Sequence, residues 1–367
     1  MRDLARDVSP LDRLDSFRRL IEHRTAHHAG YPYNLDYDYT PLLPFLRYTL
    51  NNLGDPYVNG NYGIHTREFE RETLQWFAEL YEIDDAWGYV TSCGTEGNLY
   101  GLALAHERFP QAVLYYSKDT HYSVKKAARL FRMRERMIPS QPNGEIDYVE
   151  LEAALRRQRR RPAVITVNLG TTLSGAVDRI DRVAEMVARL GLAAHLHCDG
   201  ALGGLLLPYL EGAPRISFRN HPIDSIAVSG HKFVGSPVPC GVVLTRRSHV
   251  KEMETAIEYI GSTDTTIMGS RNGLAALFLW YAIQDRADAF AAEARTCVEN
   301  ARYLHDRLEQ LGYHPLLNDF STTVLFDRPP AQVCQTWQLA CQGDRAHVVV
   351  MQNLRRERLD QFIQALA

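Results

Sequence analysis

The sequence predicts an α/β protein with a large, mostly parallel sheet clothed in helices and a smaller C-terminal α+β part. Three observations carry that expectation. Apolar runs of strand length alternate with helical patterns from about Asp55 to Arg246, which is the signature of strand–helix–strand units. The alternation stops after about Gly269, where one long helical pattern gives way to short strands. The length of 367 residues accommodates one large domain and a smaller second one.

Taken in order, the stretch to about Asn52 mixes a short helix with aromatic-rich turns such as GYPYNLDYDY, and its composition is too polar for a core of its own. Six strands follow at AWGYVTS, AVLYYS, AVITVNLG, AAHLHCD, DSIAVS and CGVVLTR. Helices are expected over REFERETLQWFAELYE, TEGNLYGLALAHERF, SVKKAARLFRMR, YVELEAALRRQRRR and DRVAEMVARL. The arginines that close YVELEAALRRQRRR suit a solvated helix end, where cations meet the negative end of the helix dipole. The C-terminal part reads as a long helix from AALFLWYAIQ to RLEQLG, a strand STTVLF, a helix QVCQTWQLAC, a strand AHVVVM and a last helix RERLDQFIQAL. The expected division is an N-terminal segment 1–54, a large domain 55–268 and a small domain 269–367.

Composition narrows the partners. A formal net charge of −3 gives no reason to expect nucleic acid or a membrane surface. No apolar run is long enough to span a bilayer, and the charged N-terminus lacks the apolar core of a secretory signal. Cys93, Cys198, Cys240, Cys297, Cys334 and Cys341 form neither a CxxC pair nor a metal-finger spacing, so free thiols in a reducing cytoplasm are expected.

Four features bear chemistry, each at or just after a strand end. In VSGHKFVGSPVPCG, residues 228–241, Lys232 follows a strand and is flanked by Gly230 and Gly235. A lysine desolvated in a cleft loses its proton and forms a Schiff base, whereas a lysine on a surface loop does neither. In HLHCDGA, residues 195–201, the strand period puts His195, His197 and Asp199 on one face. They read either as a metal set or as a lone inward carboxylate with locally bonded histidines. In SCGTEGN, residues 92–98, Gly94 and Thr95 open a helix, which is an anion cradle or an ordinary N-cap. His121 in DTHYS, beside NLGTT at 168–172, is placed to stack on a flat ring or to serve as a packed histidine. Together a phosphate cradle, a ring-stacking histidine, a carboxylate and a loop lysine are what pyridoxal-5′-phosphate requires. The carboxylate keeps the pyridine nitrogen protonated, and the lysine holds the aldehyde until substrate arrives.

These segments also carry a resemblance. GYPYNLDYDYT, LNNLGDPYVNGNYGIHTREFE, WGYVTSCGTEGNLYG, YYSKDTHYSVKKAARL, VNLGTTLSGAVD, HCDGALGG, SGHKFVGSPVPCG, TIMGSRNG and WQLACQGDRAHVVVM together resemble the group II pyridoxal-phosphate-dependent decarboxylases over nearly the whole chain. The branch is that of bacterial histidine decarboxylase and plant serine decarboxylase. The resemblance implies the aspartate-aminotransferase (type I) fold of PLP-dependent transferases, with a mostly parallel sheet of the seven-stranded type and a smaller α+β domain. It implies that Lys232 is the Schiff-base lysine, Asp199 the partner of the pyridine nitrogen, Ala201 the small residue beneath the ring and His121 the stacking histidine. Gly94 and Thr95 match the phosphate loop, and Thr172, Ser229 and His231 match further cofactor or substrate contacts. Tyr259 in IEYIGSTDT, or else His231, matches the proton donor to Cα. NNLGDP, GIHTREFE and LACQGDRAHVVVM stand nearer to serine decarboxylase. The segment GSRNGLAAL departs from its relatives, having Leu274 and Ala276 where they carry histidine and proline.

The expected activity is α-decarboxylation of a small L-amino acid, serine or histidine first, releasing carbon dioxide and a primary amine, in a homodimer or higher oligomer. An aromatic or aliphatic substrate remains open, as does another PLP reaction on the same fold or PLP binding without turnover. From a different class, a metal-dependent hydrolase would use His195, His197 and Asp199.

Overall fold

The computed structural model describes residues 9–366. Helix α1, Pro10–Ala26, starts where Ser9 Oγ accepts from the Asp12 amide at 3.1 Å and Pro10 presets the first turn. None of its residues is buried, and Leu11, Leu14, Phe17, Leu20 and Ile21 all face outward. The following stretch docks on the rest of its own chain. The Val349 amide donates to the Ala29 carbonyl, the Asn34 amide to the Lys232 carbonyl, and the Tyr39 hydroxyl to the Gly235 carbonyl.

The large sheet then assembles. Helix α2 is Arg67–Leu80, β1 Ala86–Thr91, α3 Gly94–Arg108, β2 Val113–Ser117, α4 Tyr122–Leu130 and β3 Arg134–Ile138. Helix α5 is Tyr148–Arg157, β4 Ala163–Asn168, α6 Ile180–Leu190, β5 Ala194–Asp199, β6 Ile223–Ser229 and β7 Gly241–Arg246. The seven strands lie in the order β1-β7-β6-β5-β4-β2-β3. Strand β7 pairs antiparallel with both β1 and β6, and the other pairs are parallel, so β7 alone runs against the rest. The seven-stranded, mostly parallel architecture expected from the resemblance is present.

Three local readings in the large domain need correction. Strand β3 was not expected, because its residues RERMI form no apolar run; four of the five are exposed at the sheet edge, where charges block further pairing. The helix expected over SVKKAARLFRMR stops at Leu130, and Arg132 turns the chain with φ 52° before β3. The helix expected to run to Arg161 ends at Arg157.

A hairpin of β8, Thr255–Ile257, and β9, Ser262–Asp264, leads to α7, the 38-residue helix Gly273–Gln310. Asn272 caps it, its Oδ1 accepting from the Leu274 amide at 3.0 Å. The second sheet combines β10 Leu316–Leu317, β11 Thr323–Asp327, β12 Ala340–Gln342 and β13 Arg345–Val349 in the order β10-β11-β13-β12, all antiparallel. Helices α8, Ala331–Thr336, and α9, Arg356–Gln364, complete it. The helix expected over QVCQTWQLAC is split: α8 ends at Thr336, Gln338 takes φ 52°, and Ala340 opens β12. Among the described residues no helix is long and apolar enough to cross a membrane.

A buried ion pair ties the start of α2 to the lead-in of α7. Glu70 and Arg271 contact each other with almost no exposure, and Arg271 Nη2 also donates to the Gly54 carbonyl at 2.9 Å. Glu70 further accepts from Asn52 Nδ2 at 2.8 Å and from the Val90 amide at 2.9 Å. Removing one partner strands the other charge away from water. Arg271→Ala is expected to lower the unfolding free energy by about 3–5 kcal/mol, read from urea denaturation.

Candidate active site

The carboxyl ends of β2, β4, β5 and β6 converge on one edge of the large sheet, where ligands of open α/β sheets bind. A cavity of about 260 Å³ opens there. Its wall includes Gly94, Thr95, His121, Thr172, Asp199, Ala201, Ser229, His231 and Lys232. Every residue matched to the cofactor by sequence is therefore gathered in one place. The N-terminal segment contributes Tyr31 and Tyr33, and the second sheet contributes Thr323, His347 and Val349.

Each side chain has a local reason for its position. Helix α3 begins directly after β1, and a Cβ on Gly94 would stand 2.5 Å from Ser229 Oγ, so only glycine lets the helix end approach β6. The first amides of such a helix lack intrahelical partners and face an anion favourably. Glu96, in the same turn, is turned away: its carboxylate accepts from the Ser92 amide and hydroxyl and from the Tyr89 hydroxyl. Its negative charge is thereby kept out of the cradle.

His121 precedes α4 as its N-cap. Its Nδ1 accepts from the Ser123 amide at 3.3 Å and lies 2.8 Å from Ser123 Oγ, which leaves the ring proton on Nε2. Burial lowers its pKa, so the ring is neutral at pH 7. Asp199 ends β5. Asn98 Nδ2 donates to its Oδ2 at 2.7 Å, and the Ala201 amide donates to its Oδ1 at 3.2 Å.

Lys232 lies in a five-residue π-type turn, His231–Gly235, that follows β6. Gly235 closes the turn with φ 84°, a conformation that glycine adopts freely. Burial lowers the Lys232 pKa, and the Asp199 charge opposes the shift. His231 Nδ1 lies 2.7 Å from the Cys240 carbonyl oxygen and 3.1 Å from the Cys240 amide nitrogen, and its ring sits 5.7 Å from that of Tyr33.

Two expectations end differently. His195 and His197 do lie on one face of β5, but beneath α3 rather than in the cavity. His197 is bonded through Nδ1 to Ser225 and through Nε2 to Asn98, and His195 through Nε2 to Ser225 and through Nδ1 to Arg108. With all four ring nitrogens occupied, the metal reading of His195, His197 and Asp199 fails. Tyr259 is not brought to the cavity: it sits in the turn between β8 and β9 with 85% of its surface exposed.

Sequence reasoning missed Asn98, Ser123, Tyr33 and His347. Asn98 was within reach, because it stands four residues after Gly94 and so shares its helix face. Tyr33 and His347 come from opposite ends of the chain, within GYPYNLDYDYT and WQLACQGDRAHVVVM, segments that carried the resemblance without singling either residue out.

The residues present fit pyridoxal phosphate. A helix end whose acidic residue is turned away, a space that a Cβ at Gly94 would fill, an anionic side chain and a desolvated amine share one cavity. Comparison with known proteins agrees. A family model for the pyridoxal-dependent decarboxylase conserved domain matches residues 66–326. The chain is similar to serine decarboxylase 1 of Oryza sativa subsp. japonica, 46% identical over 98% of this chain and 76% of that one. It is similar to histidine decarboxylase of Solanum lycopersicum, 45% identical over 96% of this chain and 87% of that one. Its fold is similar to crystalline L-methionine decarboxylase from Streptomyces sp.590, with TM-score 0.88, 26% identity, and 97% and 94% of the two chains covered. The chain belongs to the pyridoxal-dependent decarboxylases, in the group II branch of the serine and histidine enzymes, and is a PLP-dependent amino-acid carboxy-lyase.

Proposed function

We propose that this enzyme decarboxylates L-serine, releasing carbon dioxide and the primary amine. The observation that carries the proposal is the identity of 46–47% to three serine decarboxylases of Oryza sativa over at least 94% of this chain. Histidine is the second candidate, on 45% identity to the Solanum lycopersicum enzyme. Assaying amine release from the twenty amino acids tests both. Serine giving the largest kcat/KM supports the proposal; histidine or a third amino acid ahead of serine overturns it.

Pyridoxal phosphate, when bound, supplies an aldehyde for the substrate amine and a ring that accepts the electrons left as carbon dioxide departs. The chain's own residues do the rest. Lys232 Nζ, whose pKa burial lowers, is the attachment point and a proton carrier. Asp199 holds the proton at the ring nitrogen, with Asn98 fixing its carboxylate. His121 presents a neutral ring face, while Thr95 and the start of α3 hold the phosphate. Thr172, Ala201 and Ser229 complete the wall. His231, which lines the cavity, is the residue of this chain assigned as proton donor to Cα. Gly94→Ala, by forcing α3 away from Ser229, is expected to weaken cofactor binding about 10- to 100-fold, measured by absorbance titration of the cofactor-free protein.

The exposed apolar residues of α1 support a homodimer, and Tyr259 reaches a cavity only if it is a neighbour's. The separate sheets joined through α7 support the division 1–54, 55–268 and 269–367. The six free cysteines support a cytoplasmic setting.

A further inference from the structure

The histidines excluded from metal binding have a different arrangement to explain. They lie in an unbroken line of hydrogen bonds that starts at Asp199 and ends at Arg108, the last residue of α3. Asn98 Nδ2 is 2.7 Å from Asp199 Oδ2, and Asn98 Oδ1 is 2.9 Å from His197 Nε2. His197 Nδ1 is 2.8 Å from Ser225 Oγ, and Ser225 Oγ is 2.9 Å from His195 Nε2. His195 Nδ1 is 3.2 Å from Arg108 Nη1, which also pairs with Asp224 at 2.8 Å and lies 3.4 Å from His249. The residues between the two ends are all buried.

The direction of every bond is fixed by the ends. A carboxylate only accepts, so the Asn98 amide must donate to Asp199 and offer its oxygen to His197. A neutral His197 then carries its proton on Nε2, and its bare Nδ1 takes the single proton of Ser225. The Ser225 oxygen must accept from His195 Nε2, which leaves His195 Nδ1 bare. A guanidinium only donates, and Arg108 faces that bare nitrogen. Both ends demand the same polarity; the reverse chain would need Asp199 to donate or Arg108 to accept. Burial keeps both rings neutral, pushing His197 down to about 4 and His195 well below its usual range.

We propose that this one-way line of five hydrogen bonds, from Arg108 through His195, Ser225, His197 and Asn98, holds the Asp199 carboxylate in its charged form. The proposal rests on the reading of Asp199 as the partner of the ring nitrogen. Each bond presents its proton toward Asp199, so the dipoles add, and in a dry interior they act on the carboxylate with little screening. A carboxylate stabilised as the anion leaves the shared proton on the ring nitrogen. His195, His197, Ser225 and Arg108 are positioning residues that touch neither cofactor nor substrate. Gly101 belongs to the same device: a Cβ there would come within 2.3 Å of His197 Nδ1, so only glycine lets α3 lie across the line.

The test begins with cofactor-free wild-type protein carrying ¹⁵N-labelled histidine. At pH 7 both His195 and His197 should show neutral rings protonated at Nε2. A proton on Nδ1 of His197 overturns the proposal without reference to activity. Ser225→Ala removes the central hydroxyl and Ser225→Thr keeps one. The alanine variant should bind pyridoxal phosphate about tenfold more weakly and lose about tenfold in kcat with KM unchanged, and the threonine variant should recover both. Wild-type affinity and kcat in Ser225→Ala overturn the line, provided that Asp199→Asn is impaired. If Asp199→Asn is silent as well, the ring-nitrogen reading of Asp199 has failed instead.

Discussion

Lys232→Ala should abolish turnover, with a loss of more than roughly 1,000-fold, or about 4 kcal/mol on the barrier. The expectation follows from the environment of the side chain rather than from its charge. The π-type turn after β6 holds Lys232 in the cavity wall, and burial lowers its pKa, which favours the nucleophilic amine over the ammonium. Among the described residues no other lysine lines the cavity, so none of them substitutes for it. Borohydride reduction of the loaded wild-type protein should attach a pyridoxyl group to Lys232 and block trypsin there. Digestion should then give a peptide of residues 220–246, uncut after position 232. The adduct should be missing from the alanine variant. An adduct on another lysine, or substantial activity in Lys232→Ala, would sink the assignment.

Asp199→Asn should retain bound cofactor but lose roughly 100- to 1,000-fold in kcat, the scale seen when one preorganised electrostatic contact is removed. The substitution conserves size and leaves an oxygen to accept from Asn98, so the cavity should persist. What disappears is the negative charge at the end of β5. Cofactor content by absorbance, alongside steady-state rates, checks both halves. A normal rate at full occupancy would contradict a role for the carboxylate at the ring nitrogen. Loss of the cofactor itself would show that Asp199 anchors the ring rather than tuning it.

Much of this site was legible in the sequence because of how parallel sheets are built. Asp199, Ser229 and Lys232 all stand at or just after the carboxyl ends of strands, and His121 follows β2 by a short turn. In a parallel sheet those ends fall along one edge, so strand ends far apart in sequence become neighbours without further information. Gly94 was legible for a related reason, since a glycine opening a helix after a strand marks a close approach. Two motifs that carried the resemblance serve packing. Asp55 of NNLGDP accepts from Trp87 Nε1 and Thr265 Oγ1, and Arg271 of GSRNG pairs with buried Glu70. Leu274 and Ala276 fall in the first turns of α7 and do not line the cavity, so their departure from the relatives does not alter its wall within this chain.

The sequence by itself determined the fold class, the seating on strand ends of the residues matched to the cofactor, and the one face shared by His195, His197 and Asp199. Only the tertiary structure decided what lies across that face. Helix α3, lying over β5 and β6, turned two candidate metal ligands into links between Arg108 and Asp199. It likewise decided that charged β3 closes the sheet and that Tyr259 points away from the cavity of its own chain. The physical reason is one of range. Side-chain periodicity reports which way a residue points, through bonds within a few positions. The partner it meets comes from a segment on the order of 100 residues away, and only packing brings that segment there.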